Sequence, residues 1–143
     1  MTPLSATSST ALVAAVIGVT VLGAMLFLLG FNVSRMRGVT AKVGGSQAPT
    51  DPAAPLLIAQ RAHGNASEYV PTLAVLFLVV GFGSPAGVAI PLIAGATLAR
   101  LLHAYGMLTS RSLAHQSAVG VAGAMGTYLF GVGLAVAAAF TLV

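Results

Sequence analysis

Residues 55–82 read PLLIAQRAHGNASEYVPTLAVLFLVVGF, and the fold turns on how the polar block RAHGNASEY at 61–69 sits inside that apolar run. As a helix rising about 1.5 Å per residue, the run is long enough to cross a hydrocarbon core of about 30 Å. At about 100° per residue, Arg61, Asn65 and Glu68 fall on one stripe, Tyr69 flanks it, and His63 points to the opposite side. The chain has only two acidic residues, Asp51 and Glu68. Placing one of them inside a membrane-length helix demands a compensating environment, since a charge in hydrocarbon costs at least about 2.5–3.5 kcal/mol.

Composition agrees with a membrane setting. The 143 residues are 57% hydrophobic and 6% charged, against about 25% charged in an average soluble domain. So few charges cannot cover a soluble surface. The net charge of +4 therefore reads as a topology signal rather than a nucleic-acid footprint. The chain has no cysteine, so it has no disulfide framework and no thiolate of its own. His63 and His103 lie on different helices with no metal-ligand spacing, and no phosphate-cradling loop is present. Neither a metal nor a nucleic-acid partner is expected.

Four apolar stretches predict helices at about 10–32, 55–82, 84–107 and 116–142. Ser84-Pro85 suggests an N-cap followed by proline at the first helical position. The first stretch is too long for a signal-peptide core and is read as a retained span. One domain covering 1–143 results: an all-α, integral membrane four-helix bundle. The first connection, about 32–55, holds Arg35, Arg37 and Lys42, and the third, about 108–116, holds Arg111 and His115, whereas the second carries no charge. Basic loops collect on the cytoplasmic side, which places connections one and three there. Helix 4 carries Gly120, Gly123 and Gly126 among alanines. Such small residues let helices approach closely, either within the chain or between subunits.

Depth along the helices refines the picture. Counting from Gly81, Glu68 lies about 20 Å in and Arg61 about 30 Å; counting from Pro85, Arg100 lies about 22 Å in and His103 about 27 Å. Ionisable residues of two helices thus share one level near the cytoplasmic side. A structural ion pair of Glu68 with Arg100, within a subunit or across an interface, is expected. Arg61, Asn65 and His103 would surround a polar cavity. The blander alternative is a buried ion pair plus residues that only mark helix ends. Forked arginine donors suit carboxylates, a carboxylate suits an ammonium group, and together they suit a small zwitterionic ligand with several carboxylates.

The segment RAHGNASEYVP at 61–71 resembles the second-helix signature of the MAPEG family, the membrane-associated proteins in eicosanoid and glutathione metabolism. ARLLHAYGM at 99–107 is similar to the third helix of the bacterial members. The resemblance implies a homotrimer in a bacterial inner membrane, with glutathione as co-substrate bound between subunits near the cytoplasmic face. Carried over position by position, it implies that Arg61, Asn65, Glu68 and Tyr69 hold the tripeptide, with His103 nearby and Arg35 or Arg37 contributing from the end of helix 1. Active members often present an arginine at the start of helix 4 that stabilises the thiolate. Here that stretch reads LAHQSAVG, with His115, Gln116 and Ser117 at the comparable positions and Arg111 a turn or more earlier. Arg111 and His115 are accordingly the candidates for thiolate stabilisation. The resemblance implies a glutathione transferase or peroxidase acting on apolar electrophiles or lipid hydroperoxides. Two other functions stay open in the sequence: a non-enzymatic lipid- or partner-binding scaffold, which the altered helix-4 start favours, and a small transporter built around Glu68 and Arg100, which the charge-free outer halves of the helices oppose.

Overall fold

The computed structural model describes residues 6–115 and 117–141. They form four helices and no strand: α1 (Ala6–Lys42), α2 (Pro55–Gly83), α3 (Ala86–Leu108) and α4 (Ala118–Phe140). All four are long and apolar enough to cross a membrane. The all-α, four-span architecture read from the sequence is the one observed, and the chain is an integral, multi-pass membrane protein.

The helix limits differ from expectation in two instructive places. Helix 1 was expected to end near residue 32, with Arg35, Arg37 and Lys42 in a loop. Instead α1 runs on to Lys42. Hydropathy reports where the bilayer ends, whereas a helix ends where its backbone bonding is interrupted. Residues 33–42 contain no proline, and the stop comes only at Gly44, whose φ of 68° requires glycine. At 37 residues the helix is about 55 Å long and overshoots the hydrocarbon by several turns. The second difference lies at Ser84. It closes α2, donating its N–H to the Val80 carbonyl at 2.9 Å, and Pro85 rather than Ser84 is the N-cap of α3. At α4 the Ser117 hydroxyl accepts from the Gly120 N–H at 3.0 Å, an ordinary side-chain cap. The expected limits of helix 4 at 116 and 142 lie outside the described residues.

In the bundle α1 packs on α2 and α3, and α4 packs on α3 and α2. Leu22, Phe77, Val80, Ile93 and Leu134 are fully buried where the helices meet. Outward faces carry Phe27, Phe31, Leu129 and Phe140, all strongly exposed, as expected of a surface whose solvent is lipid. Lipid tails are as apolar as leucine, so association rests on close packing rather than on hydrophobic burial. Glycines supply the closeness. Gly18 faces Phe77 and Ile93, Gly81 faces Ala11 and Ala15, and Gly106 meets Gly120 backbone to backbone. Gly120, Gly123 and Gly126 of α4 face α3, which assigns them to packing within the chain.

The first connection is fastened to the third. The Leu113 N–H donates to the Pro52 carbonyl at 2.9 Å, and Asp51 turns its carboxylate onto the Ala53 N–H at 2.9 Å. The end of the bundle that carries these connections is also the end that carries the basic residues.

A Cβ at Gly123 would lie 2.7 Å from the Ala99 carbonyl oxygen and 2.8 Å from His103 Cα, whereas one at Gly131 would meet nothing within 4 Å. Gly123→Ala should therefore destabilise the detergent-solubilised protein by about 1–3 kcal/mol, and Gly131→Ala by less than about 0.5 kcal/mol. Thermal or denaturant unfolding of the two variants checks the contrast.

Candidate functional site

The polar stripe of α2 emerges beside its packed face. Ala59, Ala62, Ala66, Val70, Leu73 and Phe77 are buried and define that face. At about 100° per residue from Ala66, Tyr69 and Asn65 lie on its shoulder, and Arg61 and Glu68 point almost directly away. Both shoulder residues are half-buried and both outward residues are exposed. His63 turns the other way and packs against Gly30 of α1.

Arg100 of α3 is the buried group around which the shoulder is arranged. It is 1% exposed. Its Nη2 donates to Asn65 Oδ1 at 2.8 Å, and its guanidinium carbon stands 5.0 Å from the centre of the Tyr69 ring. Among the described residues, Arg100 Nε has no hydrogen-bond partner. Among the described residues no ion pair joins Glu68 to Arg100, so the within-chain form of that pairing is replaced by Arg100–Asn65. The reason is angular. Depth put Glu68 and Arg100 at one level, but Glu68 faces out of the bundle while Asn65 faces α3. Tyr69 in turn brings its hydroxyl to 3.4 Å from that of Tyr128 on α4, the rings 6.1 Å apart and tilted by 56°.

These contacts fix the chemistry on offer. An arginine only donates, so Asn65 must present Oδ1 to it and leaves its amide N–H groups for a ligand. His103 follows the same logic. Its Nδ1 lies 2.8 Å from the Gly120 carbonyl oxygen. A carbonyl only accepts, so Nδ1 carries the hydrogen, and in the neutral ring Nε2 is left with a lone pair. The close contact of Gly106 with Gly120 is what brings α4 within reach of that imidazole.

Two cavities flank the stripe. One, of about 410 Å³, is lined by Arg61 and Asn65 of α2, by His103, Gly106 and Met107 of α3, by Ser110 and His115 of the third connection, by the cap residue Ser117, and by Gly120 and Tyr128 of α4. The other, of about 450 Å³, is lined by Gln60, Arg61, Gly64, Asn65, Glu68 and Met107. Arg61, Asn65 and Met107 belong to both. Volumes of this order are typical of small-molecule sites. The structure thus gathers Arg61, Asn65, His103 and His115 at one cavity and Glu68 at its neighbour. Tyr69 stands behind, supporting Arg100 and Tyr128. Gln116 lies outside the described residues.

Three other expected residues fall elsewhere. Arg111 lines neither cavity. It lies with Arg35 at a third, at the end of α1. Arg37 is exposed on the overhang of α1. Conversely, Tyr128, to which the sequence analysis gave no place in the site, lines the first cavity. Its depth was the available signal: eleven residues past Ser117 is about 17 Å into the membrane, too deep for an interfacial belt.

A four-span bundle with a polar cavity lined by α2, α3 and α4 defines a membrane protein with a concavity of small-molecule size at helix level. Residues 13–139 match the model of the MAPEG family, and the chain belongs to that family, which includes glutathione-dependent enzymes and others. Comparison with curated proteins and with solved structures found no match.

Asn65 has two separable duties. Asn65→Leu removes the acceptor from a buried guanidinium and should destabilise the fold by about 1.5–3 kcal/mol. Asn65→Asp keeps an acceptor for Arg100 and should retain stability, but it replaces the ligand-facing donors with a negative charge. Unfolding measurements on both variants, paired with carboxylate-ligand binding, separate the two duties: Asp should preserve the first and abolish the second.

Proposed function

We propose that this protein binds glutathione at the α2 stripe and acts as a membrane glutathione transferase or peroxidase, assembled as a homotrimer with the site toward the cytoplasm. The observation that carries the reading is the sharing of Arg61 and Asn65 between a cavity bearing two imidazoles and one bearing the carboxylate Glu68. Family membership adds to it. Glutathione offers two carboxylates, an ammonium group and a thiol. Arg61 and the free Asn65 amide suit the carboxylates, Glu68 suits the ammonium, and the thiol would extend toward His103 and His115. Tyr69 keeps Arg100, and through it Asn65, in place.

His103 Nε2 is positioned to accept the thiol proton. The thiolate sulfur then attacks an electrophilic carbon arriving from the bilayer, an S–C bond forms, and the leaving group departs with the bonding pair. With a lipid hydroperoxide the sulfur takes the distal oxygen, the O–O bond breaks, and the alkoxide recovers the proton from the imidazolium. A second thiol displaces water from the resulting sulfenic acid. His115 lies at the same cavity and is the better placed of the two expected thiolate stabilisers.

A scaffold without catalysis is the second reading. It is favoured by one observation: among the described residues, no arginine or lysine lines the α3–α4 side of the first cavity. The transporter reading gains no support. The cavity between α1 and α3 is lined by Ala14, Ile17, Ile90, Ile93 and other apolar groups, and its Thr97 hydroxyl is committed to the Ile93 carbonyl at 2.8 Å.

Equilibrium titration of glutathione into purified protein, read for binding and for thiolate absorbance together, tests the proposal. Wild type should bind and show the thiolate band. Arg61→Ala should weaken binding at least tenfold, a loss of about 1.4 kcal/mol. Glu68→Gln should weaken it with assembly intact. His103→Phe should bind but lose most of the thiolate band, and His115→Ala should lose more of it than Arg111→Ala. Binding without any thiolate signal in wild type selects the scaffold, and no binding at all removes the glutathione reading.

A further inference from the structure

We propose that the cavity at the basic end of α1 holds the phosphate of an anionic membrane phospholipid. It lies apart from the α2 stripe, sharing only Ser110 with the first cavity, and does not rest on what occupies that stripe. The cavity measures about 340 Å³, and its polar lining is Asn32, Arg35, Ser110 and Arg111, beside the apolar Met36 and Ile58. None of its lining residues is acidic. Two guanidiniums thus converge on one concavity from segments far apart in sequence, α1 and the third connection.

The donor arithmetic favours an anion. Arg35 Nη2 donates to Asn32 Oδ1 at 3.0 Å, which turns the Asn32 amide N–H groups outward as free donors, as Arg100 does for Asn65. Arg111 is exposed, and its fork suits two oxygens of a phosphate. Ser110 gives its hydrogen to the Gly106 carbonyl at 2.6 Å, so it offers lone pairs only, which suits a hydroxyl on the headgroup. Asp51 is drawn away by its own turn with Ala53.

Position selects a lipid over a soluble anion. The apolar part of α1 ends at Phe31, so Asn32 and Arg35 stand at the bilayer boundary, where headgroup phosphates lie. Met36 and Ile58 give the glycerol and first methylenes an apolar wall. Basic pockets between membrane helices at that level take anionic headgroups. A headgroup here would tie the overhang of α1 to the connection that carries His115, so lipid composition would act on the neighbouring cavity.

Native mass spectrometry of the purified protein in neutral detergent tests this, with titrations of phosphatidylglycerol, phosphatidylcholine of the same chains, and glycerol phosphate. One phosphatidylglycerol per chain should bind at least about tenfold tighter than phosphatidylcholine. Arg35→Gln or Arg111→Gln should each cost about tenfold for the anionic lipid and nothing for the zwitterionic one. Arg37→Gln, which removes the same charge outside the cavity, should change affinity less than about twofold. Arg111→Lys keeps the charge without the fork and should fall between; it replaces the glutamine variant if that one misfolds. Equal loss in Arg37→Gln, equal binding of the two lipids, or competition by glycerol phosphate at matching concentration would each overturn the proposal, the last by making the site one for a soluble anion.

Discussion

A buried arginine that forms no ion pair among the described residues is the constraint on which the rest of the site depends. Arg100 is removed from water and lipid alike, and it is served by one amide oxygen and the face of one tyrosine. Such a charge tolerates little displacement, because any slip of α3 along α2 would strip it of both partners. It therefore fixes the register of the two helices. It also dictates what the site can offer. By taking Oδ1, it makes Asn65 a pure donor on the cavity side, and by taking the ring of Tyr69 it sets where that hydroxyl meets Tyr128. A single residue that lines neither cavity thus decides the polarity of the wall they share.

The second determinant is the absence of side chains. Gly106, Gly120 and Gly123 let α3 and α4 approach backbone to backbone. Only at that distance can the imidazole of His103 reach a carbonyl on the neighbouring helix, and only that bond settles which ring nitrogen is free. Close packing and proton chemistry are here one structural fact. Below the contact, Ser117 ends the approach by capping α4 while also donating to the Gly106 carbonyl at 3.2 Å, so the wall of the cavity is stapled at its mouth.

Much of this was legible in the sequence, and the illegible parts share a cause. Hydropathy located four spans because each of them must satisfy its backbone inside lipid. It misjudged the end of α1 because SRMRGVTAK is polar but still helical. Helical periodicity found the stripe of Arg61, Asn65 and Glu68 and set His63 opposite. Depth counting put Arg100 level with that stripe. Neither measure gives azimuth between helices, which is why Glu68 was matched to Arg100 although Asn65 is the residue that faces it. Residues in connections have no periodicity to place them: Arg111 and His115 looked equivalent, yet they line different cavities. Tyr128 was visible by depth but belonged to no recognised pattern.

Glu68 carries the argument beyond the single chain. It is exposed on the chain and lies about 20 Å along α2 from its far end, within the hydrocarbon span. A carboxylate facing lipid at that depth is not tolerated, so something polar must cover it. Arg61 shares its azimuth but stands seven residues away, about 10 Å along the helix, too far to neutralise it. The chain therefore presents a cation and an anion on one outward stripe, separated by the length of a short peptide. A simple anion would satisfy Arg61 and leave Glu68 unpaired; a simple cation would do the reverse. On the function proposed, a ligand negative at one end and positive at the other would satisfy both, and a helix of a second chain would seal it from lipid. That charge spacing, more than the presence of any one residue, is the physical support for the proposed zwitterionic tripeptide held between chains.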